Sequence, residues 1–95
     1  MSEPEDELDD LRARIDALDR SIVERLNERA RLALEAGRLK AAAGRDEVRD
    51  PDREREVLLR VAMANEGPLP QADLVEIYRR LIDVFVALEE RDRAG

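Results

Sequence analysis

Arg29 and Lys40 are cations at positions where the helical pattern around them asks for apolar side chains. In a helix turning about 100° per residue, Leu8, Leu11, Ile15, Leu18, Ile22, Leu26, Ala33 and Gly37 fall within roughly 50° of one meridian. Arg29 and Lys40 lie about 40° and about 20° from it, Arg12 sits on its shoulder at about 60°, and Arg31 and Arg38 point to the far side. A buried cation is costly unless an anion meets it. Further along, Glu54 shares a helical face with Val57, Leu58 and Val61, and Glu89 follows Tyr78, Ile82 and Phe85 at helical spacing, so two carboxyls also face inward. Taken singly, these residues have plain structural explanations. Arg29 and Lys40 fit buried or snorkelling ion pairs with Glu54 or Glu89, Arg12 a structural role on the shoulder of the stripe, Asp50 a helix cap, Arg53 a surface residue or a partner of Glu54 or Asp50, and Tyr78 and Phe85 the core. Taken together, three cations and two carboxyls on inward faces exceed what a small core tolerates, and a pocket for a small, multiply charged ligand explains them jointly.

The rest of the inventory narrows the chemistry. The chain has no Cys, His, Thr or Trp, and its side-chain hydroxyls are Ser2, Ser21 and Tyr78. Ser/His and Cys/His nucleophilic catalysis are thereby excluded, as are Cys and His metal sites, so the work falls to Arg, Lys, Asp, Glu and backbone. A net charge of -7 with 43% charged residues disfavours nonspecific binding to nucleic acid. No apolar run approaches the roughly 18 residues that span a bilayer. The acidic stretch to Asp10 is unlike a signal or transit peptide, and a cytoplasmic location is expected.

Ninety-five residues make one domain, near the lower end of what buries a sufficient core alone. Residues 1–7, with Pro4 among acids, are expected to fray. A first helix is predicted from about Asp6 to about Ala43, ending near Gly44. Some 36 residues at about 1.5 Å each give a helix about 54 Å long, against a radius of gyration of about 12 to 13 Å for a globule of this size. Such a helix overhangs the monomer and leaves its stripe bare, so a second copy is expected to cover it in an intertwined dimer. Asp50-Pro51 reads as an N-cap followed by Pro in the first turn of a second helix running to about Asn65. Glu66-Gly67-Pro68-Leu69-Pro70 reads as a turn with Gly67 as C-cap. The third helix is predicted from about Gln71 to Arg91, with Leu74, Ile77, Tyr78, Leu81, Ile82, Phe85 and Leu88 as its stripe, leaving residues 92–95 as a solvated tail. The expected fold is all-α: a three-helix chain, with one domain over residues 8–91, in an intertwined homodimeric bundle.

The succession Arg12, Glu28-Arg29, Gly37-Arg38-Leu39-Lys40 and Val48-Arg49-Asp50-Pro51-Asp52-Arg53-Glu54-Arg55 resembles the all-helical, AroQ-class chorismate mutases. The resemblance runs from about Leu8 to Glu89, and its most specific part is the Arg-Asp-x-x-Arg-Glu segment. It implies a homodimer that isomerises chorismate to prephenate by a Claisen rearrangement, without cofactor, metal or covalent intermediate. Arg29 and the partner subunit's Arg12 would hold the substrate carboxylates, and Lys40 would donate to the ether oxygen and a carboxylate. Asp50 and Glu54 would meet the region of the ring hydroxyl, and Arg53 would support the carboxylate site. A pericyclic step suits a chain without His or Cys, because it needs a folded dianion and cationic donors rather than a nucleophile. A 4-amino-4-deoxychorismate mutase is the alternative on the same fold, an isochorismate pyruvate lyase ranks below both, and a non-catalytic helical dimerisation or regulatory module is the alternative of another class.

Two positions depart from the pattern. Phe85 stands where a small polar residue is common in the family, and Glu89 where many members carry Gln as a donor to the ether oxygen. A carboxyl donates only when protonated. Turnover is therefore expected to fall as pH rises, and Glu89→Gln to flatten that fall. A pH–rate profile unchanged in the variant would remove Glu89 from the mechanism.

Overall fold

A computed structural model describes residues 3–95 and folds them into three helices, α1 (Pro4–Ala42), α2 (Pro51–Ala64) and α3 (Gln71–Ala94). The all-α, three-helix expectation holds. Helix α1 starts ahead of Asp6, because Pro4 suits a first turn and Glu5, Asp6 and Glu7 complement the positive end of the helix dipole. For Met1 and Ser2 the expected fraying lies outside the described residues; from Pro4 onward the segment is helical.

The end of α1 is set by Gly44. Its φ of 80° lies in the left-handed region that favours glycine. There the Gly44 N–H donates to the Ala41 carbonyl and the Arg45 N–H to the Lys40 carbonyl, each at 3.0 Å. This is the Schellman pairing, which satisfies carbonyls that would otherwise be orphaned and turns the chain into the 45–50 connection.

Asp50 then caps α2 as expected. Its backbone is extended and its carboxylate accepts from the Arg53 N–H at 3.1 Å, with Pro51 in the first turn. The far end of α2 differs from expectation, since the C-cap is Asn65 rather than Gly67. The Asn65 side chain folds the following loop, donating to the Leu69 carbonyl at 2.9 Å and accepting from the Gly67 N–H at 3.0 Å, while Gly67 supplies a positive φ inside that loop.

Helix α3 extends through residues expected to be a tail. Asp92 accepts two hydrogen bonds from Arg38, at 3.2 and 3.1 Å, and Arg93 donates to the Asp46 carbonyl at 2.7 Å. These bonds hold the last turn in place.

The chain divides within α1 into two units, Met1–Leu32 and Ala33–Gly95. In the first, the stripe residues Leu8, Leu11, Ile15, Leu18 and Ile22 are 44–62% exposed. In the second, α2 packs against α3 over a small core of Val48, Ile82 and Phe85, flanked by the half-buried Val57, Leu58, Val61, Leu74, Tyr78, Leu81 and Leu88. Ile77, expected in the α3 stripe, is exposed instead. No described helix is long and apolar enough to cross a membrane.

Candidate active site

Glu89 is the buried charged residue of the second unit, with its side chain only 8% exposed. Its place on α3, one turn after Phe85, turns it toward the last turns of α1. Gly37 makes room for it: a Cβ at that position would lie 3.3 Å from Glu89 Cγ and 3.4 Å from Cδ. One turn further along α1, Lys40 reaches the same carboxylate, with Nζ 3.3 Å from Oε2, and also donates to the Val48 carbonyl at 2.9 Å. Those two bonds engage two of the three ammonium protons. The inward position of both residues read from helical spacing is therefore observed, and of the two candidate partners for Lys40 it is Glu89 that it meets.

Glu54 makes a different pair. Its Oε1 accepts from Arg49 NH1 at 2.7 Å, while Arg49 NH2 donates to Asp83 Oδ1 at 2.9 Å, so one guanidinium ties the connection to α2 and α3. The second oxygen of Glu54, Oε2, is buried and has no hydrogen-bond partner among the described residues. Hydrogen bonding to Asp83, reinforced by the charge of Glu54, raises the Arg49 guanidinium above its ordinary value and keeps it cationic.

Asp50 combines its capping role with an ion pair to Arg45 NH2 at 3.3 Å. The Arg53 N–H first, and then the Arg45 guanidinium, hold its carboxyl below the usual carboxylate range. Asp50 therefore contributes stability that is present above the unfolded carboxylate value and lost as pH falls through the lowered one.

The Arg53 side chain is not brought to this cluster. It is exposed and pairs with Glu56 at 3.2 Å on α2. Phe85 is buried in the core. Arg12 and Arg29 belong to the first unit, where Arg12 is exposed and Arg29 partly buried. Among the described residues no group of three or more carboxylates is arranged to hold a metal ion.

Arg45, Asp83 and the Val48 carbonyl have no place in the sequence reading of the site, while Gly37 and Arg49 enter it only as members of the quoted segments, without a role. For Gly37 a signal exists in its position one turn before Lys40 on the same face; for the two arginines and Asp83 none does, since loop path and rotamer decide the pairing.

The family model described as chorismate mutase type II matches residues 11–90. The chain belongs to this family. It is similar to the structure of chorismate mutase (form II) from Thermus thermophilus, at 34% identity and a TM-score of 0.86, covering 90% of this chain and 96% of that one. Form I from the same organism gives a TM-score of 0.80 at 32% identity, over 83% of this chain and 98% of that one. A bifunctional chorismate mutase/prephenate dehydratase of Aquifex aeolicus (strain VF5) is 39% identical over 90 residues, which are 90% of this chain and 25% of that protein. The chain spans about a quarter of the length of such curated relatives.

In this member of the chorismate mutase type II family, the buried Lys40–Glu89 pair is the most enclosed charge arrangement described. Removing one partner of a buried pair strands the other charge, whereas replacing both by apolar groups is often neutral. Lys40→Met is expected to cost about 3 kcal/mol in urea unfolding, and Lys40→Met with Glu89→Leu to recover most of it. Strictly additive single-variant costs would show that the two groups do not interact.

Proposed function

We propose that the chain catalyses the Claisen rearrangement of chorismate to prephenate, as a cofactor-free intramolecular transferase in the cytoplasm. The observation that carries this reading is the orientation of Lys40, whose ammonium is aimed by the Val48 carbonyl and Glu89 and retains a third proton for a ligand oxygen. Family membership over residues 11–90 and the likeness to a Thermus thermophilus chorismate mutase over nearly all of that chain support it.

The rearrangement breaks the ether C–O bond as the new C–C bond forms, and negative charge develops on the ether oxygen. A cation already fixed beside that oxygen stabilises the transition state without reorganising. Lys40 has this role. Arg29 and the partner subunit's Arg12 hold the two carboxylates, since a guanidinium fork matches a carboxylate bidentately and keeps the dianion folded in its reactive conformer. Glu89, when protonated, donates alongside Lys40. Asp50 and Glu54 receive the ring hydroxyl, Arg53 supports the carboxylate side through a rotamer other than the one paired with Glu56, and Phe85 shapes the wall near Glu89.

The partner is a second copy of the chain. The stripe of the first unit carries five exposed leucine and isoleucine residues in a row of helical spacing, and a homodimer with intertwined first helices buries them.

The decisive experiment mixes purified protein with chorismate and follows its loss and the appearance of prephenate. No turnover at micromolar enzyme would overturn the proposal. Arg29→Ala and Lys40→Ala are expected to stay folded while losing roughly a thousandfold or more in kcat/KM. Refolding Arg12→Ala and Lys40→Ala chains together should return roughly a quarter of wild-type activity, because half of the dimers regain one intact site. A mixture no more active than either variant would overturn the donation of Arg12 across the interface.

A further inference from the structure

Both carboxylates assigned to the ring-hydroxyl region already have a cation of their own. Asp50 is paired with Arg45, and Glu54 with Arg49, which also takes Asp83. Asp50, Glu54 and Asp83 share the two guanidiniums of Arg45 and Arg49, so the pairing lowers the negative field a ligand would meet there to about one charge. The Glu54 oxygen that Arg49 does not engage, Oε2, is buried and without a hydrogen-bond partner among the described residues. That oxygen can take the one proton a hydroxyl has to give. It suits an ammonium poorly, which brings three protons and a positive charge toward a nearby guanidinium.

We propose that Arg49 is a specificity-determining residue: by engaging Glu54 Oε1 it adapts the subsite to a neutral hydroxyl and against an ammonium at the same ring position. The inference rests on the mutase reading and decides between its two substrate classes, chorismate and 4-amino-4-deoxychorismate. Arg49 acts through Glu54, without touching the reacting atoms. Its side chain is 47% exposed, so replacing it does not open the core.

The role is electrostatic, which separates it from a scaffolding role for the same bridge. If the bridge merely held α2 and α3 together, breaking it at either end would disturb both substrates alike. If its charge sets the preference, Arg49→Met and Asp83→Asn act in opposite directions, because one removes a positive charge beside Glu54 and the other a negative charge beside Arg49. Arg49→Lys keeps the charge while losing the forked geometry.

The experiment measures kcat/KM for both substrates in the wild-type protein and the three variants, with folding checked by circular dichroism. The wild type is expected to prefer chorismate. Arg49→Met should shift the ratio toward the amino substrate by roughly tenfold, through a lower KM for it. Asp83→Asn should shift the ratio roughly twofold the other way, and Arg49→Lys should stay within about twofold of wild type. A ratio unchanged in Arg49→Met, or moved in the same direction by Arg49→Met and Asp83→Asn, overturns the inference while leaving the mutase reading intact. Wild-type protein that turns over neither substrate overturns the mutase reading and this inference with it.

Discussion

The second unit depends on getting one carboxylate, that of Glu89, out of water beside Lys40. Burial of an ion pair is weak as a source of stability, because desolvation offsets most of the attraction. Its value lies in geometry. The carboxylate lies where a Cβ on Gly37 would crowd it, and the ammonium that meets it also donates to the Val48 carbonyl. Three separate parts of the chain, the end of α1, the connection after it and the last turns of α3, must therefore agree on one position. The result is a cation whose direction is set before any ligand arrives, which is the condition for electrostatic stabilisation of a transition state.

A chain with a net charge of -7 is an unusual host for the dianion of the proposed reaction. The conflict is resolved by range. At physiological ionic strength charges more than about 8 Å apart are largely screened when solvated, so the acidic surface adds little at the site. What counts is which carboxylates near the proposed site are compensated, and Asp50, Glu54, Asp83 and Asp92 share three arginines, Arg45, Arg49 and Arg38.

Much of this was legible in the sequence because it follows from helical period and capping. Lys40 and Glu89 stood out as inward charges on apolar faces, and Asp50-Pro51 marked the start of α2 as a cap followed by a first-turn proline. What was not legible depends on side chains reaching beyond their own helix. Arg38, on the solvent side of the wheel, bends to Asp92, and with that bond a charged segment that reads as a loose tail becomes the last turn of α3. Arg49 lies in a connection with no period, so its choice of Glu54 and Asp83 has no sequence signature. Gly37 was visible as a member of the stripe, but the reason for a glycine there required knowing that Glu89 would lie on it. Asn65 displaced Gly67 as the cap of α2 because an amide that both donates and accepts across the loop can end a helix as well as a glycine can.

The Schellman turn at Gly44 has one more consequence. Through it Lys40 is bonded twice to the connection that follows: its carbonyl accepts from the Arg45 N–H, and its ammonium donates to the Val48 carbonyl. Both closures span eight residues or fewer, where the entropic cost of bringing chain ends together is small. Glu89, by contrast, is 49 residues away in sequence. The lysine is thus held mostly by bonds to its own neighbourhood, and the distant helix adds the remaining one. The orientation of Lys40 is in this sense a local structure, held by a short loop of chain.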